Sequence, residues 1–126
     1  MDVITQLPTS LVDAAIVNEP EGCEHVAWRR ADALGVLRHL APSDVAALGG
    51  DVLVRDARGF RHTYDGWTCS HRAGESWSDY AARSRREAHE YMIRYPERGE
   101  VAYVLVLQGK PSARDLLLSH GVDSDA

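Results

Sequence analysis

The stretch that most constrains the fold is "EVAYVLVLQ", Glu100 to Gln108. Its core, Val101 to Leu107, is apolar at odd and even positions alike, which places it in the middle of a sheet rather than at an edge. Seven apolar residues are also far too few to cross a bilayer. Just upstream, Trp77, Tyr80, Ala81, Ser84, Ala88, Tyr91, Met92 and Tyr95 recur in steps of three and four. They trace one face of a helix over Trp77 to Tyr95, with Ser76 and Asp79 forming a capping-box pattern and Pro96 as the stop. Arg83–Glu87, Arg86–Glu90 and Glu90–Arg94 are expected as i,i+4 pairs on its outer side, each contributing about 0.2–0.5 kcal/mol.

The remaining chain fits around that helix–strand pair. Helices are expected over Thr9 to Val17 and His25 to Leu40, the second carrying Ala27, Trp28, Ala31, Leu34, Val36, Leu37 and Leu40 on its apolar stripe. Gly35 weakens that helix by up to about 1 kcal/mol relative to Ala, and close packing against a neighbour is the expected reason for it. "APSDVAALGG" reads as a short helical turn ending in two glycines. Asp51 to Asp56 and Phe60 to Tyr64 form an antiparallel hairpin across "DARG", with a bulge or bend at Asp65-Gly66 and continuation as far as Cys69. An amphipathic piece, Ser112 to His120, precedes a tail at 121–126 that is expected to fray. The sum is one α+β domain over 1–126: a small, mainly antiparallel sheet of about three to four strands with helices over one face. The other face stays partly exposed, within reach of a partner.

A chain of 126 residues with 44% apolar and 26% charged residues can hold one core without metal or disulfide staples. Two cysteines, Cys23 and Cys69, are expected reduced. The opening "MDVITQLPTS" has no basic n-region and no continuous apolar h-region, so no signal peptide and a cytoplasmic location are expected. A net charge of -5 argues against nucleic acid as a partner, since displacing counterions needs a positive footprint. It suits a basic protein partner, although acidity also serves solubility alone.

The sequence offers three candidate site chemistries. Cys23 with His25 and Cys69 with His71 would supply a Cys2His2 zinc set if they met, but the spacing matches no zinc module and no metal is expected. His62, Asp65, Cys69 and His71 lie near enough in sequence for a nucleophile, base and orienting carboxylate. Against a hydrolase, there is no nucleophile elbow, and "LGG" runs into a strand instead of opening a helix to cradle phosphate. The third candidate is an aromatic–carboxylate group. Trp77 and Tyr80 belong to the buried stripe, while Tyr64 and Trp67, flanked by Asp51, Asp65 and glycines, have the composition of a protein-binding patch. Asp51 also has a structural alternative, capping the backbone of its own turn.

Taken in order, "ALGGDVLV", "TYDGWTC", the "SWSDYAARSRREAHEYMIRYP" helix and the apolar strand resemble immunity protein 40. That is one of the small bacterial immunity families encoded beside polymorphic toxins. The similarity runs from about Trp28 to Leu107. It is carried by Gly49-Gly50-Asp51-Val52, by Tyr64-Asp65 with Trp67 two places on, and by Arg83-Ser84 followed by Ala88 and Tyr91. Gly66 departs from the polar residue the family usually places there. The resemblance implies a non-catalytic protein without cofactor, whose partner is a cognate toxin and not nucleic acid or membrane. The expected contact residues are Asp51, Tyr64, Asp65 and Trp67, flanked by Asp56, Glu75 and Asp79. Two other classes stay open: a small hydrolase using Cys69 with His62 or His71, and a homo-oligomeric regulatory domain. Oligomeric state is not legible in the sequence.

Overall fold

The computed structural model describes residues 3–18 and 25–111. Its sheet has five strands: β1 (Ile16–Asn18), β2 (His25–Trp28), β3 (Ala46–Asp56), β4 (Gly59–Thr68) and β5 (Val101–Gln108). Their spatial order is β1-β2-β5-β3-β4, and every neighbouring pair is antiparallel. The doubly apolar run is therefore the central strand, as its pattern required. The described residues also form three α-helices: α1 (Thr9–Ala14), α2 (Arg30–Leu40) and α3 (Trp77–Arg94). The class is α+β, with α2 and α3 laid over one face of the sheet.

Alternation along β5 divides the interior in two. Val101, Tyr103 and Leu105 point toward the helices and join Trp28, Val36, Leu37, Leu40, Val52, Ala88 and Met92 in the main core. Ala102 and Val104 point the other way, where they pack with Ala27, Leu53, Ile16 and Phe60. Within the described residues, no helix is long and apolar enough to cross a membrane.

Three expectations are corrected. The first helix ends at Ala14, and Ile16–Asn18 leaves it to become β1. The second begins only at Arg30, because His25–Trp28 pairs with β1 and β5 as β2. Four residues with Ala27 buried on one side and Trp28 on the other satisfy a period of two, and their apolar content had fitted a helical stripe equally well. The third correction concerns the glycines. Only Ala41–Ser43 is helical in that region, and Ala46–Asp56 is one continuous strand with Gly49 and Gly50 inside it. With these changes the described residues form a five-stranded sheet. The expected helix at 112–120 and the tail at 121–126 lie outside the described residues.

Glycine is required inside β3 because the Trp67 indole lies on it. Gly50 pairs with Trp67 across the β3–β4 ladder. A Cβ on Gly50 would stand 2.3 Å from the Trp67 ring and 2.3 Å from the Val104 carbonyl oxygen. One on Gly49 would meet the Trp67 carbonyl oxygen at 2.4 Å. Gly35 is different: its nearest neighbour, the Leu11 side chain, would sit 3.5 Å from an added methyl, an ordinary contact. Packing therefore does not demand glycine at position 35.

Opposite outcomes follow at the two sites. Gly50→Ala is expected to lower unfolding free energy by about 3 kcal/mol or more, through overpacking against backbone. Gly35→Ala is expected to raise it by about 0.5–1 kcal/mol, through helix propensity. Urea denaturation of both variants checks the pair.

Candidate functional site

β4 is one of the two edge strands of the sheet, and its middle departs from regular pairing. His62 pairs with Leu53 and Gly66 with Asp51, so Thr63, Tyr64 and Asp65 stand opposite Val52 alone. Side chains hold this bulge in place. Thr63 Oγ1 donates to the Val52 carbonyl at 2.9 Å and accepts from the Asp65 N–H at 3.0 Å. Tyr95, at the C-terminal end of α3, donates its hydroxyl to Asp65 Oδ2 at 2.7 Å. Between these anchors Tyr64 adopts φ +69°, and its side chain is 96% exposed. A bulky residue in the left-handed region costs on the order of 1–3 kcal/mol and persists only where its surroundings enforce it.

The expected contact residues reach the β4 edge, on different faces. Asp51 pairs with Val104, which turns it toward the face away from the helices, and it is half-buried. With His62, Tyr64, Gly66 and Thr68 it lines an open concavity of about 710 Å³. Trp67 turns the other way, onto the helix-side core, and stacks on Tyr91 with ring centroids 4.6 Å apart. Only part of it remains accessible, so it is not the outward-facing anchor the sequence suggested. Asp65 is exposed but already accepts from Tyr95.

The flanking acids separate. Asp56 sits at the hairpin tip, accepting from the Arg58 N–H at 2.8 Å and pairing with Arg61 at 2.9 Å. Asp79 is exposed in the first turn of α3, its N–H donating to the Ser76 capping hydroxyl at 3.1 Å. Glu75 faces inward, with both carboxylate oxygens held by Arg83 at 2.8 Å.

Arg83 itself was expected on the outer face of α3 and is instead buried. It donates to Glu87 at 2.7 Å, to the Ser70 carbonyl at 2.7 Å and to Cys69 Sγ at 3.1 Å, so one guanidinium ties the link between β4 and α3 to the helix. Glu75, gripped by that guanidinium, has its pKa lowered to about 2, and Arg83 is pushed up in turn by its two carboxylates.

The same cluster weighs against nucleophilic use of Cys69. Burial, reinforced by Glu87, raises the thiol pKa, the reverse of what an attacking thiolate needs. His71 is engaged with the Glu75 carbonyl at 2.5 Å and packs on the Tyr80 ring at 4.9 Å. His62 lies seven residues up the strand from Cys69, on the order of 20 Å away. For the zinc alternative, Cys23 lies outside the described residues, and no group of three metal-binding side chains occurs among those that are described.

Tyr91 and Tyr95 read as buried stripe, yet with Trp67 they form the floor of a cleft of about 440 Å³ between β4 and α3. Its rim carries Glu87, Glu90 and Arg94. The i,i+4 spacing of the two tyrosines was visible. Their meeting with Trp67 depends on the β3–β4 register and was not.

The profile of the family described as immunity protein 40 matches residues 19–107. The chain belongs to the immunity protein 40 family. No curated protein and no solved structure matches it.

The Glu75–Arg83 pair makes stability depend on acid. Because the folded-state pKa of Glu75 lies below its unfolded value, its stabilisation is complete above about 4.5 and is lost as pH falls toward about 2. Glu75→Gln is therefore expected to melt lower than wild type at neutral pH, with the gap closing as pH drops through that window. Thermal melts across pH 7 to about 2 check it.

Proposed function

We propose that this protein is a non-catalytic inhibitor of a toxin domain made by the same bacterium, acting in the cytoplasm and docking the toxin along the β4 edge. Membership of an immunity family supports the toxin as partner. The observation that carries the docking surface is Tyr64, a large aromatic almost wholly exposed and kept in a strained backbone conformation by Thr63, Asp65 and Tyr95. Backbone strain enforced by a dedicated hydrogen-bond network, with no intramolecular packing gained, points to use by a second molecule. Aromatic anchors fixed before binding also lose little entropy on docking. Asp51 and Asp65 place carboxylates beside Tyr64, and the net charge of -5 favours encounter with a basic surface. Asp56 and Asp79, both exposed, act as outlying steering charges, while Glu75 serves by holding the β4–α3 link.

Co-expression with the toxin encoded beside the gene is expected to protect growth and give an isolable complex. Tyr64→Ala, Asp65→Ala or Trp67→Ala is expected to weaken that complex at least tenfold, about 1.4 kcal/mol each. Wild-type affinity in all three, measured by calorimetry, would move the interface off β4. Tyr64→Gly separates binding from folding: it relieves the positive φ and is expected to raise stability by up to about 1 kcal/mol while binding falls. A melting curve and a binding isotherm on the same preparation test both signs.

A further inference from the structure

We infer that Arg30 and Glu97 are positioning residues for Tyr64: acting through Tyr95, they hold the β4 bulge in the form that meets a partner. The consequence for toxin affinity rests on the docking proposed above; the hold on the bulge stands on its own geometry.

Tyr95 is where the helix and the bulge meet. Its hydroxyl donates to Asp65 Oδ2 at 2.7 Å, a bond that joins the bulge to α3. Yet α3 does not by itself fix this residue. Tyr95 is the C-cap, with φ −66° and ψ 125°, so the chain has already left the helical path there. Carbonyls at a helix end lack donors within the helix. The Tyr95 carbonyl finds one from outside, since Arg30 Nη2, in the first turn of α2, donates to it at 2.8 Å. A cation in a first turn faces the positive end of the helix dipole. The needs of α2 therefore do not explain Arg30.

Arg30 is held from the sheet. Its Nε, withdrawn from solvent, lies 3.5 Å from Glu97 Oε2. The same Glu97 oxygen accepts from the Tyr103 hydroxyl at 2.8 Å. Tyr103 is fully buried in the central strand, and its ring meets that of Tyr95 edge-on, with centroids 6.2 Å apart at 88°. One guanidinium thus bridges the central strand to the end of α3, a task that suits its rigid fork of donors better than a single ammonium. Neither Arg30 nor Glu97 lines the concavity to which Tyr64 and Asp65 belong. Their influence on it runs through Tyr95.

Coupling along such a chain appears as non-additivity between its members. The test is a double-mutant cycle of Arg30→Met with Tyr95→Phe, read on the Tyr64 and Asp65 amide resonances of the isotopically labelled protein. Arg30→Met is expected to shift both resonances, and to shift them far less once Tyr95→Phe is present. Glu97→Gln keeps an acceptor for Tyr103 and removes the charge beside Arg30. It is expected to give the same pattern more weakly, and it serves if Arg30→Met does not fold. Unmoved amides in both variants, or shifts as large in the Tyr95→Phe background, would overturn the proposal. A general loss of stability lowers the melting temperature without producing that pattern. With the toxin encoded beside the gene, Arg30→Met is expected to bind roughly threefold or more weakly, and this loss too should vanish in Tyr95→Phe. Responding amides with unchanged toxin affinity would remove the docking on β4 and leave the hold on the bulge. Silent amides, in a protein whose toxin binding is lost in Tyr64→Ala, would do the reverse.

Discussion

The Trp67 indole resting on the bare backbone of Gly50 is the contact around which the rest of this protein is arranged. It sets the β3–β4 register, since only a glycine opposite position 67 leaves room for the ring between the strand and Tyr91. The register in turn leaves Thr63, Tyr64 and Asp65 facing the single residue Val52, which creates the bulge. Two glycines weaken an isolated strand, but here β3 lies between β4 and β5 and is held by ladders on both sides. The backbone entropy lost at those glycines is offset by aromatic burial that no side chain at position 50 would permit.

A second constraint acts at the other end of β4. Arg83 bonds three segments at once, Glu75, Ser70 and its own helix neighbour Glu87, so the link between the hairpin and α3 cannot move independently. At the opposite end of α3, Tyr95 reaches Asp65. The bulge is thus braced by a helix that is itself clamped to the end of the strand it braces. Such bracing orders the edge strand in advance, so that little further ordering would be lost in the docking proposed above. The bulge also interrupts the unpaired strand edge, which protects it from indiscriminate pairing with other chains.

Much of the architecture was legible because it rests on local periodicity. The α3 stripe, its Ser76 cap, its end before Pro96 and the central place of the Val101–Leu107 run all depend on neighbouring residues. Short segments resisted. His25–Trp28 and Ile16–Asn18 are too brief to distinguish a period of two from 3.6, and only pairing with β5 and with each other makes them strands. "LGG" carried a turn signal in its composition, and the reason for its glycines lay far along the chain in Trp67. At the candidate site, the sequence singled out Tyr64, Asp65 and Trp67 as a group but not their opposite orientations, which a bulge decides by breaking the alternation of faces.

By itself, then, the amino-acid order determined the α+β class, the central strand, the long capped helix, the acidic balance and the family pattern. Each of these is set by residues near one another or by totals over the chain. Tertiary structure alone decided that Arg83 is buried, that Trp67 turns inward while Tyr64 turns out, and that Tyr91 and Tyr95 join Trp67 in one cleft. Those outcomes depend on strand register and on which helix face meets which strand. Both are fixed by contacts between distant residues, and no local pattern encodes them.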